Sequence, residues 1–216
     1  MKFPNAFSGV KKIWLAEILM LLAAVLGIIM LIVVASNTQV VDGEVTEVAA
    51  GVATPAAILT IGCAVLALVA FVLNLVGIIS ARKDEEAFKI ALFVTLVGIV
   101  ASVVASIWSQ NAVLTKWTDV VNTLCNLFAS YFVLTGIANL ADRYPDPATR
   151  DFALKSRTWL EGSFCLTAVL KFIKNIFNIQ NETVVIIMGV AALLVEIISY
   201  VLYLRALSRG KDMLSR

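Results

Sequence analysis

The chain reads as an all-α polytopic membrane protein, with six transmembrane helices arranged as three helical hairpins. Three observations predict this. Of its 216 residues, 61% are hydrophobic, against about 45–50% in a soluble domain, and the mean hydropathy is +0.95. The apolar residues gather into six runs of about 20, the length a helix needs to cross ~30 Å of hydrocarbon at ~1.5 Å per residue. The basic residues fall almost entirely on alternate connections between those runs.

Segment one covers about 13–35, after a short stretch carrying Lys2, Lys11 and Lys12. Val33-Val34-Ala35 resembles the end of a cleaved signal, but the apolar run exceeds the usual ~7–15-residue signal core, which favours a retained anchor. The connection that follows is acidic through Asp42, Glu44 and Glu47. Its Asp42-Gly43 pair between β-forming valines fits a short hairpin or an ordinary surface loop. Segment two covers about 56–81, with Thr54 as the expected cap and Pro55 as the first helical residue.

Segment three covers about 88–108. Asp84-Glu85-Glu86 precedes it, placing acids at the positive end of its helix dipole. Segment four covers about 120–141 and is the most polar of the clearly apolar runs. Asp142-Arg143-Tyr144-Pro145-Asp146-Pro147 then reads as a turn, with Asp146 capping and Pro147 opening a helix that continues into segment five. Segment five, about 159–179, contains Lys171 and Lys174 and is the weakest span by composition. Segment six covers about 184–204 and contains Glu196. Gly77-Ile78 and Gly136-Ile137 each precede a charged cluster. A triplicated hairpin and a default likeness of apolar helices with basic exits both account for that.

The cations set the expected topology. Fourteen of the 17 lie on one side: Lys2, Lys11 and Lys12; Arg82, Lys83 and Lys89; Arg143, Arg150, Lys155 and Arg157; and Arg205, Arg209, Lys211 and Arg216. Lys116, Lys171 and Lys174 stand opposite. The positive-inside rule then places both termini in the cytoplasm, in a multi-pass protein of the cell (inner) membrane. The same count supports segment five, without which the basic tail would lie outside. Trp14, Trp108, Trp117 and Trp159 fall at span ends, where the amphipathic indole settles.

Composition also excludes chemistry. With no histidine, the imidazole required by Ser-His hydrolysis or a histidine-bound zinc is missing. Cys63, Cys125 and Cys165 sit singly in apolar segments, away from any metal or disulfide spacing. The glycines form no phosphate-cradling loop, and the connections are too short for a nucleotide- or nucleic-acid-binding domain. No catalytic residue, cofactor or metal is expected, and no nucleic acid among the partners. The lipid bilayer is the expected surrounding, with a membrane-protein partner or a second copy as further candidates.

Candidate site residues are polar groups inside the spans. Asp119, Asn122, Asn126 and Ser130 share one face of segment four. Thr167, Lys171, Lys174, Asn175 and Asn178 share one face of segment five. These stripes read either as the lining of an outward-facing polar cavity or as interhelical hydrogen bonds with lysines snorkelling to the headgroups. Glu196 lies about twelve residues into segment six, ~18 Å deep, where a carboxyl must be neutral, paired or wetted. Its level matches Cys165, and no tight pair with Lys171 is expected. Glu17 and Glu161 sit beside Lys12 and Arg157 and read as ion pairs near the cytoplasmic ends. Gly98, Ser102, Ser106 and Ser109, and Cys63, Ala67, Ala70, Asn74, Gly77 and Ala81, form small-residue seams that suit close helix packing.

Two function classes follow. One is transport or permeation of a small solute or ion, alone or as a subunit, through the polar faces of segments four to six. The other is a non-catalytic accessory protein that docks a partner. A membrane-embedded enzyme ranks third, with no motif behind it.

Overall fold

A computed structural model describes residues 2–36, 38–41, 44–48, 50–108, 112–176 and 182–216; the side chains of 37–54, 109–116, 119, 171–183 and 185 lie outside the description. The described elements run α1 (Pro4–Ser36), β1 (Thr38–Val41), β2 (Glu44–Val48), α2 (Ala50–Ala81), α3 (Ala87–Ile107), α4 (Ala112–Arg143), α5 (Pro147–Ile176) and α6 (Glu182–Ser215). Among the described residues, five of the six helices are long and apolar enough to cross a membrane: α1, α2 from Pro55, α3, α4 from Val120, and α6 from Ile186. α5 is long, at 30 residues, but is not one of the five. Arg150, Asp151, Lys155, Arg157 and Glu161 fill its first half, and its apolar stretch ends at Lys171.

The helices outrun the apolar segments because hydrogen bonding continues where apolarity stops. α6 extends through Arg205, Arg209 and Lys211 to Ser215, and α1 starts nine residues ahead of Ile13. The expected start of α2 needs correcting. It begins at Ala50, so Thr54 is not its cap and Pro55 is inside the helix. Pro55 lacks the N–H that would reach residue 51, and so little helix precedes it that the fault stays confined to the first turns.

β1 and β2 pair antiparallel, with Thr38 opposite Val48, Gln39 opposite Glu47, Val40 opposite Val45 and Val41 opposite Glu44. The register slips by one between Gln39 and Val40, leaving Thr46 as the extra residue of a bulge. This is the short hairpin that the Val40–Val45 stretch suggested. Asp42 and Gly43 themselves lie outside the described residues.

The chain divides into two units, residues 12–76 and residues 1–11 with 77–216. In the first, α1 and α2 touch where the Cys63 thiol reaches the Ala23 carbonyl oxygen (3.7 Å) and the Thr60 hydroxyl reaches Met30 Sδ (3.1 Å). Many large apolar side chains of this unit are bare, Leu31 at 64% and Ile58 at 65%, while Ile13 near its start is fully buried.

In the second unit α3 packs on α4, α4 on α5 and α5 on α6, with a lighter contact of α4 on α6. The α3–α4 pair is antiparallel: Glu85 meets Asn139 at one end, and Ser102 meets Asn122 toward the other. Its buried core sits at the end where α3 starts and α4 and α6 finish. Phe88, Leu134, Ile137, Leu140, Leu207 and Met213 are all but inaccessible there. Away from that end the helices turn apolar side chains outward, Phe93 and Ile107 each at 67%. A folded chain in water would bury such residues; in hydrocarbon they face a medium as apolar as themselves. This is a multi-pass integral membrane protein.

Glycine sets the closest approaches. A Cβ on Gly136 would stand 2.5 Å from Cε2 of the buried Phe88 ring, and one on Gly9 would stand 2.5 Å from the Gly77 carbonyl oxygen. Gly98 of the α3 seam faces Cys125, whose Cβ would lie 3.2 Å from an added Cβ. The expected packing roles of Gly77, Ala81 and Gly98 therefore correspond to contacts.

Candidate functional site

Polar groups that apolar helices must accommodate gather at two levels: a network at the basic end of the second unit, and isolated pairs deeper in the helices.

The network begins with α1. A helix start leaves orphan backbone N–H groups carrying partial positive charge. Asp84 answers them from another part of the chain: Ala6 N donates to Asp84 Oδ2 (2.7 Å) and Asn5 Nδ2 donates to Oδ1 (3.0 Å). The Ser80 hydroxyl donates to the Asn5 carbonyl (3.1 Å). Next to Asp84, the Glu85 side chain is 3% exposed. Its Oε1 accepts from Asn139 Nδ2 (2.8 Å), and its Oε2 stands 2.9 Å from Arg143 Nη2 as an ion pair. Arg143 also donates to the Asp84 carbonyl (3.3 Å), and Lys2 Nζ donates to the Arg143 carbonyl (3.1 Å). The expectation that Asp84-Glu85-Glu86 simply faces the α3 dipole is thus incomplete. Asp84 caps α1, Glu85 ties α3 to α4, and Glu86 pairs with Lys89 (3.0 Å) at the surface.

The turn into α5 is as the sequence implied. Thr149 N donates to Asp146 Oδ1 (3.0 Å) and the Thr149 hydroxyl to Oδ2 (3.0 Å). The Thr149 N–H bond is the main cause holding the Asp146 carboxyl below its ordinary value; burial opposes it, and the Thr149 hydroxyl and the Arg216 charge reinforce it. A depressed carboxyl stabilises the fold above its unfolded-state value, and that stabilisation is lost as pH falls through the folded-state value. Asp146→Ala is therefore expected to cost about 1 kcal/mol, as cap removals do. The deficit relative to the parent should shrink in acid, read as melting temperature against pH in detergent. A deficit that is constant down to pH 3 would count against the cap.

Farther along α5, Arg157 joins it to α4. Its guanidinium lies 4.9 Å from the centre of the Tyr131 ring. Nη1 donates to the Thr135 hydroxyl at 3.4 Å, and Nε stands 3.7 Å from Glu161 Oε1. The expected Arg157–Glu161 pair is present. The Cys125 side chain is buried against Gly98 and the Cys63 thiol meets a carbonyl, so both serve packing.

Among the sequence candidates, Asn122 donates through Nδ2 to the Ser102 hydroxyl (3.0 Å), which in turn donates to the Gly98 carbonyl (3.0 Å). Among the described residues it therefore meets α3. Asn126 is exposed and Ser130 half-buried on α4. Glu196 accepts from the Thr167 hydroxyl of α5 (3.1 Å) and is otherwise exposed, beside the bare side chains of Leu193 and Ile197. The side chains of Asp119, Lys171, Lys174 and Asn175 lie outside the described residues, as does Asn178 altogether, and the expectation about Lys171 and Glu196 lies outside them too. Of the described candidates, Asn122 thus pairs with Ser102 and Glu196 with Thr167, and each pair uses hydroxyl or amide capacity that hydrocarbon would leave unmet. Among the described residues no group of His, Cys, Asp and Glu is placed to hold a metal ion. Compared with family models, with curated proteins and with solved structures, the chain matches none.

Proposed function

We propose that this chain is a six-span protein of the cell (inner) membrane, with three helical hairpins and both termini in the cytoplasm. Its role is non-catalytic: α5 and α6 dock another membrane protein. The observation that carries the docking role is Glu196. It sits 14 residues into α6, ~21 Å from the helix start, exposed between Leu193 and Ile197, with the Thr167 hydroxyl as its one hydrogen-bond donor among the described residues. A carboxyl on a lipid-facing surface has lone pairs that hydrocarbon leaves unmet, and a partner helix offering a donor meets them.

A photo-crosslinking residue at Leu193 or Ile197, activated in native membranes, should give discrete protein adducts. The same residue at Val97, on the exposed face of α3, should give only lipid adducts. Lipid adducts alone from all three positions would sink the docking role.

Transport of a small solute or ion is the second reading. Asn126 favours it, being exposed within α4 and making no hydrogen bond among the described residues. Flux into vesicles that responds to pH in the parent and not in Glu196→Gln would move the assignment to transport.

The topology is tested separately. In a cysteine-free background, single cysteines replacing Gly43, Lys116 or Asn181 should react with an impermeant thiol reagent on intact cells. Cysteines replacing the exposed Lys83 or Ala148 should react only after lysis. External labelling at 148 would remove α5 as a span.

A further inference from the structure

The charged ends of α5 and α6 carry three cations that the network described above does not use. Lys155, Arg205 and Arg209 are exposed, and none lies within ion-pair distance of a carboxylate among the described residues. Three contacts fix the register of the two helices. The Arg209 guanidinium stacks 4.1 Å from the centre of the Phe152 ring, the Ser156 hydroxyl reaches the Leu202 carbonyl (3.4 Å), and the Ser199 hydroxyl reaches the Trp159 carbonyl (3.3 Å). As α5 advances from 152 to 159, α6 recedes from 209 to 199, so Lys155 is level with Arg205. Lys155 shares a helix row with Phe152 and Trp159, and Arg205 shares one with Arg209. Both rows therefore border the same α5–α6 seam.

Deeper along the seam the chemistry changes within one turn. Trp159 is exposed, Gly162 has nothing within 4 Å of where a Cβ would stand, and Leu166, Ile198 and Val201 are bare. Cations, then an indole, then an exposed apolar surface follow the order of a phospholipid from phosphate to acyl chain.

We infer that the basic end of the α5–α6 seam binds an anionic phospholipid, its phosphate held by Lys155, Arg205 and Arg209 and one acyl chain lying along Trp159 and Gly162. This rests on the reading of α5 and α6 as membrane-spanning and is independent of the docking role. A phospholipid suits the site better than a free anion because exposed apolar side chains continue directly from the cations.

The test uses the full chain with Trp159 as its single tryptophan (Trp14, Trp108 and Trp117 changed to Phe), in micelles of a neutral detergent. Phosphatidylglycerol brominated on its acyl chains is titrated in, against brominated phosphatidylcholine. The anionic lipid should quench Trp159 at a much lower mole fraction. Each cation removed should weaken it about fivefold, so that Lys155→Gln with Arg205→Gln and Arg209→Gln loses about 100-fold. A matched loss of charge at Lys11, Arg82 and Lys83 should leave the titration unchanged. Should the triple variant fail to fold, Arg205→Gln alone is expected to show the fivefold loss. Equal quenching by the two lipids, an unaffected triple variant, or displacement of the lipid by millimolar inorganic phosphate would each overturn the site. Absence of quenching by either lipid would overturn the spanning reading along with it.

Discussion

Gly9→Ala is expected to destabilise the protein by about 2–3 kcal/mol or more, the upper range for overpacking, although it adds one methyl group. The new Cβ would stand 2.5 Å from the Gly77 carbonyl oxygen and 2.7 Å from both N and Cβ of Ala81. Two of those three atoms are backbone within a helix, so no rotamer change relieves the clash. Gly27, also on α1, has nothing within 4 Å of its Cβ position. Gly27→Ala should therefore be neutral or slightly stabilising through helix propensity. Adding Ala81→Gly to Gly9→Ala should recover part of the loss, since it removes one of the three contacts. Thermal unfolding in detergent, followed by retention of a monodisperse elution peak, separates the cases. A Gly9→Ala protein as robust as Gly27→Ala would show that the start of α1 does not pack closely on α2.

Arg143→Met has the second large expected effect, about 2–4 kcal/mol, toward the lower end for a broken buried pair because one partner remains wet. Glu85 is 3% exposed and Arg143 is 53% exposed. Removing the guanidinium leaves a buried carboxylate with Asn139 as its remaining side-chain donor and also frees the Asp84 carbonyl. Glu85→Gln should cost less, since a neutral amide keeps much of the shape and hydrogen-bonding capacity without an unpaired charge. The double variant Glu85→Gln with Arg143→Met should then be more stable than Arg143→Met alone. Lys89→Met, which breaks the exposed Lys89–Glu86 pair, is the control and should cost little. Parity between Arg143→Met and Lys89→Met would refute a structural role for the Glu85 pair.

What was legible in the sequence was local or periodic. Apolar runs of span length located the helices, because hydrocarbon thickness sets one length scale for all of them. The Asp146–Thr149 cap was legible because its partners lie within one turn of chain. The α1 cap was not, since Asp84 and Ala6 are separated by 78 residues and no pattern in either stretch names the other. The polar stripe on α4 shows the remaining gap. Helical spacing says that Asn122, Asn126 and Ser130 share a face; it does not say which neighbour that face meets. Asn122 meets Ser102 of α3, a partner that the stripe on α4 did not name. α5 was the hardest element to read because two signals conflict there: the distribution of cations favours a span, and its own charges oppose one.

The capping of α1 by Asp84 has a consequence for the order of assembly during synthesis. Ala6 leaves the ribosome long before Asp84, and Arg143, which braces the Asp84 carbonyl, follows later still. At about 5–20 residues per second, roughly ten seconds pass between the first and the last. During that interval the beginning of α1 exposes amide groups that only water or the translation machinery can satisfy. The cap on α1 is therefore expected to form only after Asp84 emerges, and to be braced only once Arg143 follows. A nascent chain arrested before Arg143 clears the ribosome should be cut readily by a protease near Asn5, and one arrested after the end of α4 has emerged should resist.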